Sequence, residues 1–152
     1  MQLDKIDRNI LAILQKDGRL PNNELAEQVG LSASPCLRRV KLLEETGVIQ
    51  KYVALLDAEK IGKGLTLFTR IWLVGQDAET VDQFTEVILN LPEVVECHLM
   101  AGDCDFLLRV VTRDLEDYRK FQIKHLTRKN GVQSIKTEIP MQNIKLTTEI
   151  PL

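Results

Sequence analysis

The repeat of the apolar residues changes part-way along this chain, and that change constrains the fold more than any other feature. In the first third, Leu3, Ile6, Ile10, Ile13 and Leu14 recur every three or four residues, the repeat of a helix that buries one side. From Leu65 the pattern becomes alternation. Leu65, Leu67, Thr69, Ile71 and Leu73 share one phase, and Phe68, Arg70, Trp72 and Val74 share the other. One chain with two repeats reads as an α+β protein with a helical domain followed by a sheet-containing one, and 152 residues suffice for two small cores. The boundaries fall at 1–54 and 65–152, with a charged, glycine-bearing linker at 55–64 between them.

The helical part has three segments. The first runs from Asp4 to about Lys16, with Asp4 as cap, Asp7 in the electropositive first turn and Gly18 past its end. Pro21-Asn22-Asn23 opens a second, Glu24 to Val29, which Gly30 closes. The third runs from Pro35 to Thr46, with Ser34 as N-cap, Pro35 at the first helical position, and Leu37, Val40 and Leu43 or Leu42 facing inward. Val48 to Ala54 reads as a short strand or wing. Two short helices joined at a glycine, with small Ala26 where they cross, have the dimensions of a helix-turn-helix. The outward face then offers Ser32, Ser34, Arg38, Arg39 and Lys41. The serines and the free N–H groups of the helix start suit a phosphate, and Arg38 or Arg39 suits a guanine edge.

Charge does not make either part a magnet for nucleic acid. Residues 1–51 hold eight Lys and Arg against seven Asp and Glu, and the whole chain is at −2. Binding to DNA must therefore come from local placement and oligomerisation. Three cysteines, Cys36, Cys97 and Cys104, are a poor disulfide framework and fit a reducing compartment. Residues Met1 to Lys5 lack the layout of a secretory signal, and no apolar run approaches the ~20 residues of a membrane span. A cytoplasmic protein with no membrane partner is expected.

The second part reads strand, helix, strand, strand, helix, strand: Leu65–Val74, Ala78–Leu91, Val94–Ala101, Cys104–Thr112, Asp114–Arg128 and Val132–Met141. Val81, Phe84, Ile88 and Leu91 line one helix, and Leu115, Tyr118 and Phe121 the other. After Pro140 the apolar phase flips to Ile144 and Leu146, suggesting a bulge, turn or extra strand. Right-handed crossovers make the βαββαβ order a ferredoxin-like (ACT-like) sandwich, one antiparallel sheet with two helices on one face. Its other face would expose Phe68 and Trp72, so Phe68, Arg70, Trp72 and Val74 are expected to meet a second subunit. The alternative is cover from the linker or from the segment after Pro140.

Ala101-Gly102-Asp103-Cys104-Asp105 reads most plainly as a tight hairpin turn. It also suits a free amino acid. Asp103 or Asp105 can accept from an ammonium, backbone N–H groups near Gly102 can hold a carboxylate, and Leu99 and Ala101 leave room for a side chain. Cys97, His98 and Cys104 are too few and wrongly spaced for a metal. Cys97 falls in phase with Val95, Leu99 and Ala101 and is expected to be buried; Cys36 is expected to pack. No nucleophile, phosphate loop or catalytic constellation stands out, so no cofactor and no enzyme are expected.

Taken together, Leu3 to Leu11, Leu25 to Ser32, Pro35 to Val40, Gly47-Val48-Ile49, Glu96-Cys97-His98 and Gly102-Asp103-Cys104-Asp105 resemble the bacterial Lrp/AsnC (feast/famine) transcription regulators over essentially the whole chain. The resemblance implies a winged helix-turn-helix that binds DNA and a βαββαβ domain that dimerises and binds amino-acid effectors. It further implies dimers that assemble into octamers, and effector pockets between dimers that use the Gly-Asp-x-Asp turn, here Gly102, Asp103 and Asp105. Cys104 stands where a bulkier aromatic residue is frequent. Ser134 and Thr137 are candidates for contacts from a neighbouring subunit. The effector expected is a small apolar amino acid such as leucine or methionine. Two other classes fit the same division of the chain: an amino-acid-sensing module acting on a protein partner through its helical head, and a small enzyme. Retention on DNA with a steep salt dependence separates the first reading from both.

Overall fold

The computed structural model describes residues 2–152 and divides into two compact units, one of residues up to Leu55 together with Ile144–Leu152, the other Leu56–Asn143. In the first unit, helix α1 (Lys5–Leu14) starts at a reciprocal cap: Asp7 N–H donates to the Asp4 carboxylate at 2.8 Å and Asp4 N–H to the Asp7 carboxylate at 3.1 Å. Both bonds satisfy donors that a helix start leaves unpaired. Helix α2 (Asn22–Val29) ends at Gly30, whose φ of 73° lies in the left-handed region that glycine adopts without strain. Leu31 N–H then closes the turn on Ala26 C=O at 2.9 Å.

Helix α3 (Ala33–Glu45) begins earlier than the sequence suggests. Ser32 is its extended N-cap, without a side-chain capping bond, so Ser34 and Pro35 fall inside the first turn. Proline is tolerated there because the first four N–H groups have no intrahelical partner. The inward stripe is Cys36, Val40 and Leu43, not Leu37 or Leu42. Cys36 and Leu43 close a core with Ile10, Leu11, Leu25 and Ala26. Past Gly47 the expected wing strand does not form; Ile49 packs on the core and its N–H bonds Leu43 C=O at 2.9 Å. The segment from Ile144 packs with this unit rather than extending the second. Gln15 clamps it, its amide donating to Ile150 C=O at 3.0 Å and accepting from Ile150 N–H at 2.6 Å.

The second unit starts with an ordered turn where the sequence suggests a linker: the Asp57 carboxylate accepts from Glu59 and Lys60 N–H, and Lys63 N–H reaches Ala58 C=O at 2.7 Å. Then follow β1 (Leu65–Leu73), α4 (Ala78–Leu89), β2 (Val94–Leu99), β3 (Phe106–Thr112), α5 (Leu115–His125), a 3-10 turn at Arg128–Asn130, and β4 (Val132–Glu138). The strands lie in the order β2-β3-β1-β4, all neighbours antiparallel, which is the ferredoxin-like arrangement. Leu67, Ile71 and Leu73 of β1 and Phe106, Leu108 and Val110 of β3 pack on Phe84 and Ile88 of α4 and Tyr118 and Phe121 of α5. Buried Thr69 is satisfied by the Tyr118 hydroxyl at 3.0 Å.

Two further side chains depart from the expected burial. Leu115 is exposed at the first position of α5. Cys97 pairs opposite buried Leu108 and so has the core phase, yet β2 is a sheet edge and Cys97 is exposed there. Beyond Pro140, Ile144 and Leu146 are exposed and form no regular element.

The second core predicts a clear contrast. Phe84 is fully buried, its ring 4.9 Å from that of Phe106, whereas Leu89 one turn on is exposed. Phe84→Ala should cost about 3–5 kcal/mol in chemical denaturation and Leu89→Ala no more than about 0.5 kcal/mol. Equal costs would contradict this packing.

Candidate DNA-binding and effector sites

The outward side of α3 brings together Ser34, Leu37, Arg38, Lys41, Leu42 and Glu45 along one shallow groove. Ser32 is exposed at its start. Arg38 and Lys41 are exposed and form no ion pair among the described residues, so both cations are free for an anionic partner. Arg39 does not belong to this group. Its position, 100° around the helix from Arg38, faces α1, where its guanidinium lies 2.8 Å from Asp4 and 2.7 Å from Asp7. Asp7 is buried, so its carboxylate needs the donors that Arg39 and Asp4 N–H supply. The Asp7 and then the Asp4 carboxylate raise the Arg39 pKa above its ordinary value. The Asp7 N–H and then the Arg39 guanidinium hold Asp4 below the ordinary carboxylate range. The sequence contains no local signal for this brace, because its partners are more than thirty residues apart.

The β2–β3 connection is not a two-residue hairpin but a six-residue loop, 100–105. Asp105 is its anchor. One carboxylate oxygen accepts from Leu73 N–H at 2.8 Å, the other from the Gln76 amide at 2.9 Å, and Asp105 N–H donates to Ile71 C=O at 2.9 Å. The neighbouring Asp103 is engaged only through its backbone, its C=O accepting from the Trp72 indole N–H at 2.8 Å. Its carboxylate is exposed and has no hydrogen bond among the described residues. Gly102 does not adopt a positive φ, so the backbone does not demand glycine, and a Cβ there would meet nothing within 4 Å. The glycine leaves open approach to the loop backbone. Leu99 and Ala101 are exposed beside it, whereas Cys104 is buried beneath.

Ser134 and Thr137 are not brought together. Ser134 is exposed and pairs opposite Trp72 on the open face of the sheet. Thr137 lies opposite Thr69 on the helix face, hydrogen-bonded to the Tyr118 hydroxyl. The open face itself carries half-buried Phe68, Arg70 and Trp72 on β1, with exposed Val74 just past the strand end. Ion pairs run across it, Arg70 to Glu138 at 3.2 Å and Arg109 to Glu96 at 2.8 Å. The 56–63 turn shares a groove with Val95 and Val111 at one end of this face. The Trp72–Asp103 and Gln76–Asp105 bonds escape sequence reading, since Gln76 lies beyond the alternating strand.

The winged helix-turn-helix DNA-binding family matches residues 3–50, and the Lrp/AsnC ligand binding domain matches residues 66–150. The leucine-responsive regulatory protein of Escherichia coli is 43% identical over 148 residues, covering 97% of this chain and 90% of that protein. The chain belongs to the Lrp/AsnC family. A crystal structure of an AsnC family regulator from Agrobacterium tumefaciens superposes with a TM-score of 0.93 at 42% identity, covering 98% of this chain and 97% of that one. The L-Met complex of a transcriptional regulator from Neisseria meningitidis gives 0.94 at 38% identity, covering 99% and 97%. As an Lrp/AsnC protein the chain is a DNA-binding regulator modulated by amino acids. The α3 face lies within its matched DNA-binding region and the 100–105 loop within its matched ligand-binding region.

The Arg39 brace has a defined pH dependence. Because the folded state lowers the Asp4 pKa, the brace contributes its full stability above the ordinary value of 3.8 and loses it as pH falls through the lowered value. Arg39→Ala should lower the melting temperature of the first unit at pH 7, and the gap to wild type should shrink at pH 3, followed by circular dichroism. A gap independent of pH would place the guanidinium elsewhere.

Proposed function

We propose that this Lrp/AsnC chain is a homo-oligomeric, sequence-specific regulator that binds double-stranded DNA through the α3 face, and whose effector is a small apolar amino acid bound at the 100–105 loop. The observation that carries this reading is the unequal use of the two loop aspartates. Asp105 spends both oxygens on anchoring the loop, and Asp103 is left free beside the open backbone of Gly102. Asp103 therefore accepts from the ligand ammonium, and backbone N–H groups near Gly102 hold its carboxylate. Leu99 and Ala101 face the ligand side chain, and Ser134, contributed by a neighbouring subunit, is the partner contact; Thr137 supports α5 instead. The name of the leucine-responsive relatives and the methionine complex of a structural neighbour support leucine or methionine as ligand.

On the DNA side, Ser32, Ser34, Arg38 and Lys41 meet phosphates and base edges, while Arg39 sets the orientation of α3 on α1. Dimers form through the open sheet face with Phe68, Arg70, Trp72 and Val74, and dimers join into an octamer. Assembly supplies the avidity that a nearly neutral DNA-binding unit lacks. The amino acid changes DNA occupancy by binding one assembly or head geometry more tightly than another, the only way a ligand can shift such an equilibrium.

Calorimetry with L-leucine and L-methionine tests the loop. One of them should bind wild type, and Asp103→Ala should weaken it about tenfold or more, the loss of a charge-assisted hydrogen bond. Unchanged affinity would remove Asp103 from the site. In sedimentation, Trp72→Asp should yield monomers; an intact dimer would place the interface elsewhere. Lys41→Ala should weaken DNA binding and reduce the slope of log affinity against log salt by about one.

A further inference from the structure

Helix α3 exposes a leucine where the sequence suggests core. Leu37 is 43% exposed, although the core beneath is closed by Cys36 and Leu43, both fully buried. The fold gains little from Leu37, and the groove it lines is mostly polar or charged, with Glu45 the one acid among its lining residues. Ser34 lies one turn before it, Arg38 next to it and Lys41 one turn after, all lining the same groove. Leu37 is the fifth of thirteen residues, within the half of a recognition helix that reaches base edges. The other outward leucine, Leu42, lies on the opposite flank of the groove and in the second half of the helix.

The unpaired cations Arg38 and Lys41, which lie between Leu37 and Leu42 around the helix, favour a polyanion as the occupant of this face. Within a major groove, the apolar feature that a leucine can recognise is the 5-methyl group of thymine, since the other base edges present donors and acceptors. We propose that Leu37 is a specificity-determining residue that packs on a thymine methyl beside the base contacted by Arg38. This rests on the reading above that α3 enters the major groove. Burying one methyl against Leu37 is worth about a fourfold preference for that base. The contact needs no hydrogen bond and no charge, so it is insensitive to salt, unlike that of a cation held on a phosphate.

The test uses the full-length protein and duplexes that it enriches itself from a random pool. Each thymine of the enriched site is replaced singly by deoxyuridine, which deletes the methyl and leaves the hydrogen-bonding edge intact. Dissociation constants are read by fluorescence anisotropy at fixed salt. Wild type should lose about fourfold at one thymine position per half-site. Leu37→Ala should show no loss there on deoxyuridine substitution, and Leu37→Met, which keeps an apolar contact, should retain it. The proposal is overturned if no thymine methyl matters, if Leu37→Ala keeps the same penalty, or if Leu37→Met abolishes it in a protein with wild-type melting temperature. Should Leu37→Ala fail to fold, Leu37→Met against Leu37→Gln decides between the same outcomes. Arg38→Ala separates the two levels. If it binds the enriched site as tightly as wild type, α3 is not in the groove and both readings fall. If it weakens binding while every deoxyuridine duplex binds as thymine does, only the role of Leu37 falls.

Discussion

Two hydrogen bonds to one carboxylate determine what the 100–105 loop can do. Asp105 accepts from the Leu73 N–H at the end of β1 and from the Gln76 amide just beyond it. Bonds to an ionised acceptor are among the stronger ones a protein makes, and here they fasten a connection that would otherwise be free at the sheet end. With the loop held, Cys104 is pressed inward and Gly102 and Asp103 are left outward. The loop thus has a fixed base and an open polar rim, and under the proposed function it would recognise a small zwitterion with little ordering cost. Trp72 adds a further tie through the Asp103 carbonyl, and it does so from the open sheet face. The residues proposed for dimer contact and for ligand contact therefore share a hydrogen bond.

The first unit solves a related problem with two adjacent arginines. A helix turns 100° per residue, so Arg38 and Arg39 cannot face the same way. One is held by Asp4 and Asp7 on α1, and the other is left without a partner on the outward side. The cap of α1 and the orientation of α3 consequently depend on the same two carboxylates. A change at Asp4 or Asp7 therefore reaches the outward side of α3 without touching it.

Much of this was legible in the sequence, and the rest has identifiable reasons. Alternation in β1 placed Leu67, Thr69, Ile71 and Leu73 correctly because the pleat permits only two phases. Asp4 and Gly30 were legible because helix ends need specific chemistry. The start of α3 was not, since Ser32 and Ser34 are both good caps and Pro35 fits anywhere in the first turn. Leu37 entered the expected core for another reason: Leu37 and Cys36 stand three and four residues before Val40, and helical spacing alone does not choose between them. Cys97 had the correct phase for burial, but burial also depends on the position of its strand in the sheet, and β2 lies at the edge. Arg39, Gln76 and Thr137 took roles set by partners distant in sequence, which periodicity does not encode. The Gly-Asp-x-Asp turn was legible as a motif, but the separate duties of its two aspartates emerge only from the hydrogen bonds.

The account joins a DNA-reading helix to an amino-acid site through one equilibrium, and linkage makes that claim quantitative. If the amino acid alters affinity for DNA by some factor, DNA must alter affinity for the amino acid by the same factor. The decisive measurement is that reciprocal pair, made on the full-length protein with its enriched duplex and with whichever of L-leucine or L-methionine binds. DNA affinity is read with and without saturating amino acid, and amino-acid affinity with and without saturating DNA. The account predicts two equal factors that differ from one. Tight binding of both ligands with both factors equal to one would contradict it.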